Sequence, residues 1–456
     1  MKAARAFLVF VFIGVGVTLS CTREKKFAPG EFKEWAITPP MGWNSWDCYG
    51  PTVREDEVLA NADYMAANLK AYGWEYVVVD IRWFVENTKR GGYNQTDPRY
   101  VFDDYGRYLP AENRFPSAAN GEGFKALADA IHKKGLKFGI HIMRGIPAIA
   151  VDKKLPIKGT KGITADQIYS KADQCKWLRD NYTIDASKPG AQEYYNSIFE
   201  LYAEWGVDFI KIDDLSAPIY HQDEIELIRK AIDRCGRPIV LSTSPGPTPI
   251  EAAQHVNQHA NMWRMVNDVW DSWWHIDHLF EVSQDWYDYI QPGTWPDCDM
   301  IPLGRLSIRG ERGEDRMTAL TKDEQYTLMT LFTIFRSPLF FGGDLPSNDA
   351  FTLSLLTNSE VLQMHTESSG VRLLFNEGDK KAITSENSQH DWTYLALFNF
   401  SDSVALDIGV NLSDLGLQGD VKITNIWNGE IEGVFNNSFD RILPPHASGL
   451  YKIEMN

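Results

Sequence analysis

Two acids and two bases in this sequence are spaced for chemistry. The run Phe209-Ile-Lys211-Ile-Asp213 is apolar apart from one lysine and one aspartate. Phe and Ile favour strands, and side chains alternate along a strand. Lys211 and Asp213 therefore share one face, and Ile210 and Ile212 share the other. A carboxylate at a strand's end, with an ammonium two residues back, is held ionised and aimed, which suits a nucleophile. Taken alone, the stretch fits a structural ion pair equally well. The partner acid is Asp268, in Trp263-Arg264-Met-Val-Asn-Asp268. Two carboxylates across a cleft suit glycosidic-bond cleavage: one attacks the anomeric carbon, the other protonates the leaving oxygen. On this reading Lys211 keeps Asp213 ionised. Trp263, Val269, Trp270, Trp273 and Trp274 crowd Asp268 and would raise its pKa so that it holds a proton. Arg264 reads as a contact to a sugar hydroxyl or to the nucleophile, with a salt bridge to Asp271 as the structural alternative. A Schiff-base role for Lys211 fits poorly, because a carboxylate two residues away on the same face raises an amine's pKa.

Such residues need a rigid frame. From about residue 37 to 345, short apolar runs alternate with stretches of helical spacing, the pattern of βα units. Strands are expected at 41–46, 76–80, 137–142, 208–213, 238–243, 261–268, 295–300 and 338–343. Helices are expected near 53–72, 123–134, 191–205, 224–235 and 325–334. Eight units predict a (β/α)8 barrel, whose active site lies at the C-terminal strand ends. Trp46, Asp80, His141, Asp213, Ser242 and Asp268 all fall at such ends. Several acids converging on one rim are hard to explain as stability, since like charges held close cost energy. Beyond about residue 365 the texture changes to short alternating strands separated by Asn, Asp, Ser and Gly, which predicts an antiparallel β-sandwich. The expected division is a barrel over residues 37–360 and a sandwich over 365–456.

The composition narrows the partners. A formal net charge of −17 leaves no basic surplus for nucleic acid. Fifteen Trp, 19 Tyr and 23 Phe fit a cleft whose flat rings cover the apolar faces of sugars, although large cores also hold aromatics. The N-terminus reads as targeting. Met1-Lys-Ala-Ala-Arg5 is basic, Ala6 to Ser20 is apolar but short for a membrane span, and Thr18-Leu-Ser-Cys21 resembles a lipobox. Residues 1–21 are then a lipoprotein signal ending at lipidated Cys21, and 22–36 a polar tether. The expected location is a bacterial cell envelope, periplasmic or outer-membrane, with the membrane reached only through the lipid anchor. Cys48, Cys175, Cys235 and Cys298 remain, in a compartment that permits disulfides. None of the four has zinc-type spacing with His, so no metal is expected.

Pro39-Pro-Met-Gly-Trp-Asn-Ser-Trp46, the strand ending at Asp80, Lys211-Ile-Asp213, Arg264-x-x-x-Asp268-x-x-Asp271 and Pro296-Asp-Cys-Asp-Met300 occur in a set order. Together they resemble glycoside hydrolase family 27, the melibiase or α-galactosidase family. The resemblance covers roughly residues 38–345, and a C-terminal β-domain also matches the family architecture. It implies a retaining exo-glycosidase acting on a carbohydrate substrate without metal or organic cofactor, with Asp213 as nucleophile and Asp268 as acid/base. It places Trp46, Asp80, Lys211 and Arg264 on sugar-binding positions; His141 and Ser242 are added as substrate contacts from their strand-end positions. The leading expectation is release of terminal α-D-galactose. β-L-Arabinopyranosidase and α-N-acetylgalactosaminidase are the alternatives within the family, and a non-catalytic glycan-binding lipoprotein is an alternative outside it. Three positions depart from the family pattern. Ile81 stands where a second aspartate usually grips galactose hydroxyls, His141 replaces a usual Tyr, and Ser242-Thr-Ser-Pro-Gly246 replaces the segment that senses the sugar's 2-substituent. A subsite that loses a hydroxyl-binding carboxylate loses discrimination there. Arabinopyranose has galactose's ring configuration without its hydroxymethyl arm, so Ile81 fits it at least as well.

Overall fold

The computed structural model describes residues 26–387 and 389–456. The expected signal and its Cys21 lie outside the described residues. Eight parallel strand positions follow in chain order: β1 (Met41–Asn44), β2 (Tyr76–Val79), β3 (Lys137–Met143), β4 (Phe209–Asp213), β5 (Val240–Thr243), β6 (Met262–Arg264), β7 in two halves (Trp295–Asp297 and Met300–Ile301) and β8 (Leu339–Phe341). Each pairs with the next through β6, and the first half of β7 continues on β6. The second half of β7 pairs with β8, and β8 pairs with β1, so the ring closes. Between the two halves lies Asp299, at φ 84°. This break lets one strand serve two neighbours and turns the Asp299 side chain toward β6. The strands read as near-continuous apolar runs because a barrel wall is buried on both faces.

The helices packed around the barrel include α1 (Glu55–Asn68), α2 (Lys125–Lys133), α3 (Ala191–Trp205), α4 (Gln222–Arg234), α5 (Ala253–His259), α6 (Trp273–Ser283), α7 (Lys322–Phe335) and α8 (Ser359–Glu367). α7 starts where the Thr321 hydroxyl accepts from the Glu324 N–H while the Glu324 carboxylate accepts from the Thr321 N–H. It is buried nearly all round because it is covered twice. The barrel lies on one side, and on the other the Thr327 hydroxyl donates to the His446 carbonyl at 2.7 Å and the Trp427 indole donates to Thr330 at 2.9 Å.

The C-terminal domain holds β9 (Ser369–Glu377), β10 (Lys380–Asn387), β11 (Trp392–Asn399), β12 (Leu406–Asn411), β13 (Val421–Asn425), β14 (Ile431–Phe435), β15 (Ser438–Leu443) and β16 (Ser448–Met455). One sheet runs β9-β10-β11-β16-β13-β14 and the other pairs β12 with β15, all antiparallel. β11 shows how the domain is seated. Leu395 and Leu397 enter the sandwich core, while the alternate residues Tyr394, Ala396 and Phe398 join the barrel's core. The fold class expected from the sequence is the one observed.

Two boundaries differ from expectation. α8 runs to Glu367 and β9 begins at Ser369, so the joint has no linker. Residues 27–36 also do not form a free tether. Glu31–Ala36 is a 3-10 helix whose Phe32 is buried under the Arg229 guanidinium, and the Phe32 carbonyl accepts from Asn261 Nδ2 at 2.8 Å. The apolar surface of Phe27, Phe32, Trp35 and Ala36 drives this docking; the polar residues between them hid it. Cys48, Cys175, Cys235 and Cys298 are free thiols. No helix of the described residues is long and apolar enough to cross a membrane.

Candidate active site

A cavity of about 410 Å³ opens at the C-terminal strand ends, within the size range of small-molecule sites. Its floor brings together six residues picked out from the sequence: Trp46, Asp80, His141, Lys211, Asp213 and Asp268.

Asp80 follows β2 directly. Its backbone N–H donates to the Ser45 hydroxyl at 2.9 Å, which ties the β2 exit to β1. One carboxylate oxygen meets His141 Nδ1 at 2.5 Å, and the other lies 3.8 Å from Lys211 Nζ. Burial works against the Asp80 charge, but His141 and Lys211 outweigh it and hold its pKa at about 2. His141 Nε2 is buried without a hydrogen-bond partner, and His141 lines the cavity, so this nitrogen is available to a ligand. Trp46 begins a short helix just past β1 and stacks on Tyr93, with ring centroids 5.9 Å apart.

The partner of Lys211 differs from expectation. Alternation puts Lys211 and Asp213 on one face, as read, but the ammonium makes its ion pair with Asp80. Lys211 sits opposite His141 in the β3–β4 register, and His141 holds Asp80. The nearest carboxylate therefore comes from across the barrel floor rather than along the strand. Burial lowers the Lys211 pKa, but Asp80 above all, with Asp299 and Asp213 behind it, leaves the amine's pKa raised. A permanently charged amine cannot serve as a Schiff-base nucleophile.

Asp213 ends β4 and is nearly buried. Its backbone is held by Arg144, whose N–H donates to the Asp213 carbonyl at 3.1 Å. The Arg144 side chain continues the clamp. Nε donates to the Asp214 carbonyl at 2.7 Å, one terminal nitrogen pairs with the Asp214 carboxylate at 2.9 Å, and the other reaches Glu224 of α4 at 2.8 Å. Asp214 lies at φ 64°, the turn at which the chain leaves the strand. The nucleophile candidate is thus fixed through its backbone and leaves its carboxylate to the cavity.

Asp268 and Arg264 correct two further expectations. Arg264 does not touch Asp271, whose carboxylate is taken by Arg316 at 2.5 Å and by the Ala319 N–H at 2.8 Å. Nor does Arg264 line the cavity. It lies below, 1% exposed, with one nitrogen 3.3 Å from Asp268 and another 2.6 Å from Asp299. The aromatic crowding around Asp268 also fails to raise its pKa. Trp263 is turned into the core, Trp273 stacks on His446, and Trp274 is exposed. Burial pushes Asp268 up, but Arg264 first, then Lys211 and Arg312, bring it below the ordinary value. The raised acid is its neighbour Asp299, pushed up to about 7 by burial against the pull of Arg264, with Asp268 adding to the rise. Two carboxylates therefore share one guanidinium and titrate as a coupled pair, with Asp299 losing its proton only near pH 7.

Ser242 is buried in β5 and faces a small internal space with Asn44 and Asp297, not the cavity. The wall on that side is Ser244 to Pro247, two residues further along the chain. Tyr93, Trp177, Glu311 and Arg312 also line the walls and were not found from the sequence. They come from long connections without periodicity. Asp299 was within reach, since it stands in the quoted Pro296-Asp-Cys-Asp-Met300 run.

Comparison with known proteins fits this geometry. A family model described as alpha galactosidase A matches residues 152–367. A β-L-arabinopyranosidase of glycoside hydrolase family 27 from Geobacillus stearothermophilus, solved in complex with arabinose, is 49% identical with a TM-score of 0.92, and the match covers 94% of this chain and 100% of that one. Alpha-galactosidase A of Cellvibrio japonicus is 26% identical over 452 residues, 92% of this chain and 93% of that protein. Alpha-galactosidase 2 of Arabidopsis thaliana is 25% identical over 427 residues, 92% of this chain and 90% of that protein.

Proposed function

The chain belongs to glycoside hydrolase family 27, and on that premise we propose that it is a retaining exo-glycosidase whose preferred substrate is a terminal β-L-arabinopyranoside. The observation that carries the choice of sugar is Ile81. It is buried, lines the cavity beside Asp80, and its side chain offers no acceptor or donor. A hydroxymethyl arm placed against it would leave a hydroxyl unpaired, which costs about 1–3 kcal/mol. Arabinopyranose lacks that arm. The 49% identical arabinopyranosidase, solved with arabinose, supports the same choice.

In this reading Asp213 attacks the anomeric carbon and forms a covalent glycosyl-enzyme while Asp268 protonates the leaving oxygen. Asp268 then takes a proton from water, which releases the sugar with its configuration retained. Asp80, His141 and Lys211 bind ring hydroxyls as one charged unit, and Trp46 and Tyr93 cover an apolar ring face. Arg264 orients Asp268 without touching sugar. The proton that Asp268 needs is the one its coupled neighbour Asp299 holds. Substrate that displaces water from Asp268 disfavours its charge and draws the proton over.

The test is kcat/KM for nitrophenyl β-L-arabinopyranoside and α-D-galactopyranoside, measured side by side. A preference of about tenfold or more for the arabinoside is expected, and Ile81→Asp should narrow or reverse it. A wild type that prefers the galactoside overturns the choice of sugar and leaves the family chemistry in place. Lipidation at Cys21 and an envelope location are part of the same proposal, supported by the basic, apolar and lipobox-like run of residues 1–21. Cys21→Ala should move the protein out of the membrane fraction, and an unchanged membrane pool would contradict it.

A further inference from the structure

Among the described residues, one group of possible metal ligands converges away from the cavity floor: Glu226 on α4 with His255 and His259 on α5, their ligand atoms all within 4.8 Å of one another. His255 and His259 are four residues apart and so share one face of α5. Their rings stack with centroids 4.1 Å apart. His255 Nε2 lies 3.7 Å from one Glu226 carboxylate oxygen, while the other oxygen faces Lys230 at 3.3 Å.

The hydrogen bonds around the two rings present the right nitrogens. His259 Nδ1 is 2.7 Å from the His255 carbonyl, which can only accept. His259 therefore keeps its proton on Nδ1, and in the neutral ring Nε2 carries the lone pair. His255 Nδ1 is 2.6 Å from the Tyr220 hydroxyl, whose oxygen can accept from Nδ1–H, and His255 Nε2 is buried with no hydrogen-bond partner. Metal-bound histidines are held in this way, the far nitrogen donating to a carbonyl or other acceptor.

We propose that Glu226, His255 and His259 form a site for a transition-metal dication of the zinc class, with Tyr220 as the positioning residue behind His255. Two imidazoles and one carboxylate suit Zn²⁺, Co²⁺, Ni²⁺ or Cu²⁺ rather than the all-oxygen shells of Mg²⁺ or Ca²⁺. Ligand atoms bound to one tetrahedral zinc at about 2.0–2.1 Å sit about 3.3 Å apart, so a modest inward rotation of these side chains closes the site. The metal would tie α4 to α5. The segment before α4 carries the cavity-lining Ala217 and Pro218, and the segment before α5 carries Ser244 to Pro247. The role is a staple behind two cavity walls, separate from the reacting carboxylates. The cysteine spacings that argued against a metal had no bearing on this pair of helices.

The untagged full chain, stripped with EDTA, should take up one Zn²⁺ per chain in competition with a chromophoric chelator, and Zn²⁺ should raise its Tm. His255→Gln with His259→Gln should abolish that uptake and that Tm rise. Tyr220→Phe should weaken affinity about 10–100-fold, and Glu226→Gln on the partly exposed side of α4 should weaken it in a chain that still folds. Absence of one-to-one uptake by the wild type overturns the proposal. So does uptake that survives the double histidine substitution, or a Zn²⁺-induced rise in Tm that Glu226→Gln leaves intact.

Discussion

The barrel rim and the C-terminal sandwich are built to opposite rules. Beneath the rim lie Asp47, Asp80, Asp213, Asp297 and Asp299, with Lys211 and Arg264, all within a few strand ends of one another. Asp47 and Asp297 are pushed above the ordinary carboxylate range, chiefly by burial. Buried atoms such as Asp47 Oδ2 and His141 Nε2 have no hydrogen-bond partner. The sandwich interior is instead Leu395, Leu397, Ile408, Val410, Phe439 and Ile453. Charges of this domain pair outside that interior, as Lys422 does with Glu454 at 3.3 Å and Lys452 with Glu360 at 3.0 Å. Crowding like charges in a dry place costs stability, so a chain keeps such a cluster for function, while the apolar layer behind it supplies the stability.

That contrast can be broken most severely at Asp213. Asp213→Ala should lower kcat on the preferred glycoside roughly 10⁴-fold or more while Tm stays level or rises. A comparable fall in Tm would make Asp213 structural. Asp268→Ala should cost about 10²–10⁴-fold on a poor leaving group and far less on a dinitrophenyl glycoside, which departs without a proton. Equal losses on both would remove Asp268 from the acid role. In the sandwich the signs reverse. Leu395→Ala should destabilise by about 2–5 kcal/mol in chemical denaturation, with kcat/KM per folded molecule unchanged. The smallest effect sharpens the picture of the rim. Above pH 7 ionised Asp299 repels the Asp268 charge and raises its pKa, so Asp299→Asn should move the alkaline limb of kcat/KM to lower pH. An unmoved limb would show that the two acids are not coupled.

Much of this was legible in the chain because periodicity is local. The eight strand positions and the break to short strands near residue 365 follow from spacing alone, as does the placing of Asp80, His141, Lys211 and Asp213 at the cavity. The pairing among these residues was not legible. Alternation says which face Lys211 takes, but only the β3–β4 register, with His141 beside it, turns its ammonium to Asp80. Counting Trp residues near Asp268 likewise failed, because neighbours in sequence turned away and the charges that set its pKa come from β6, β4 and the Arg312 connection. Ser242 was placed at the rim because it ends an apolar run, yet the chain continues to Ser244 before it meets the cavity. Tyr93 and Trp177 sit in connections whose course depends on what they pack against.

The most direct measurement is to trap the intermediate. The protein would be treated with a 2-fluorinated arabinopyranosyl donor bearing a good leaving group, then digested and read by mass spectrometry. One sugar per chain, esterified to Asp213 and absent from Asp213→Ala, is the expected result. A label on any other residue, or turnover of a natural arabinoside to the inverted anomer by NMR, would contradict the assignment of Asp213 as nucleophile.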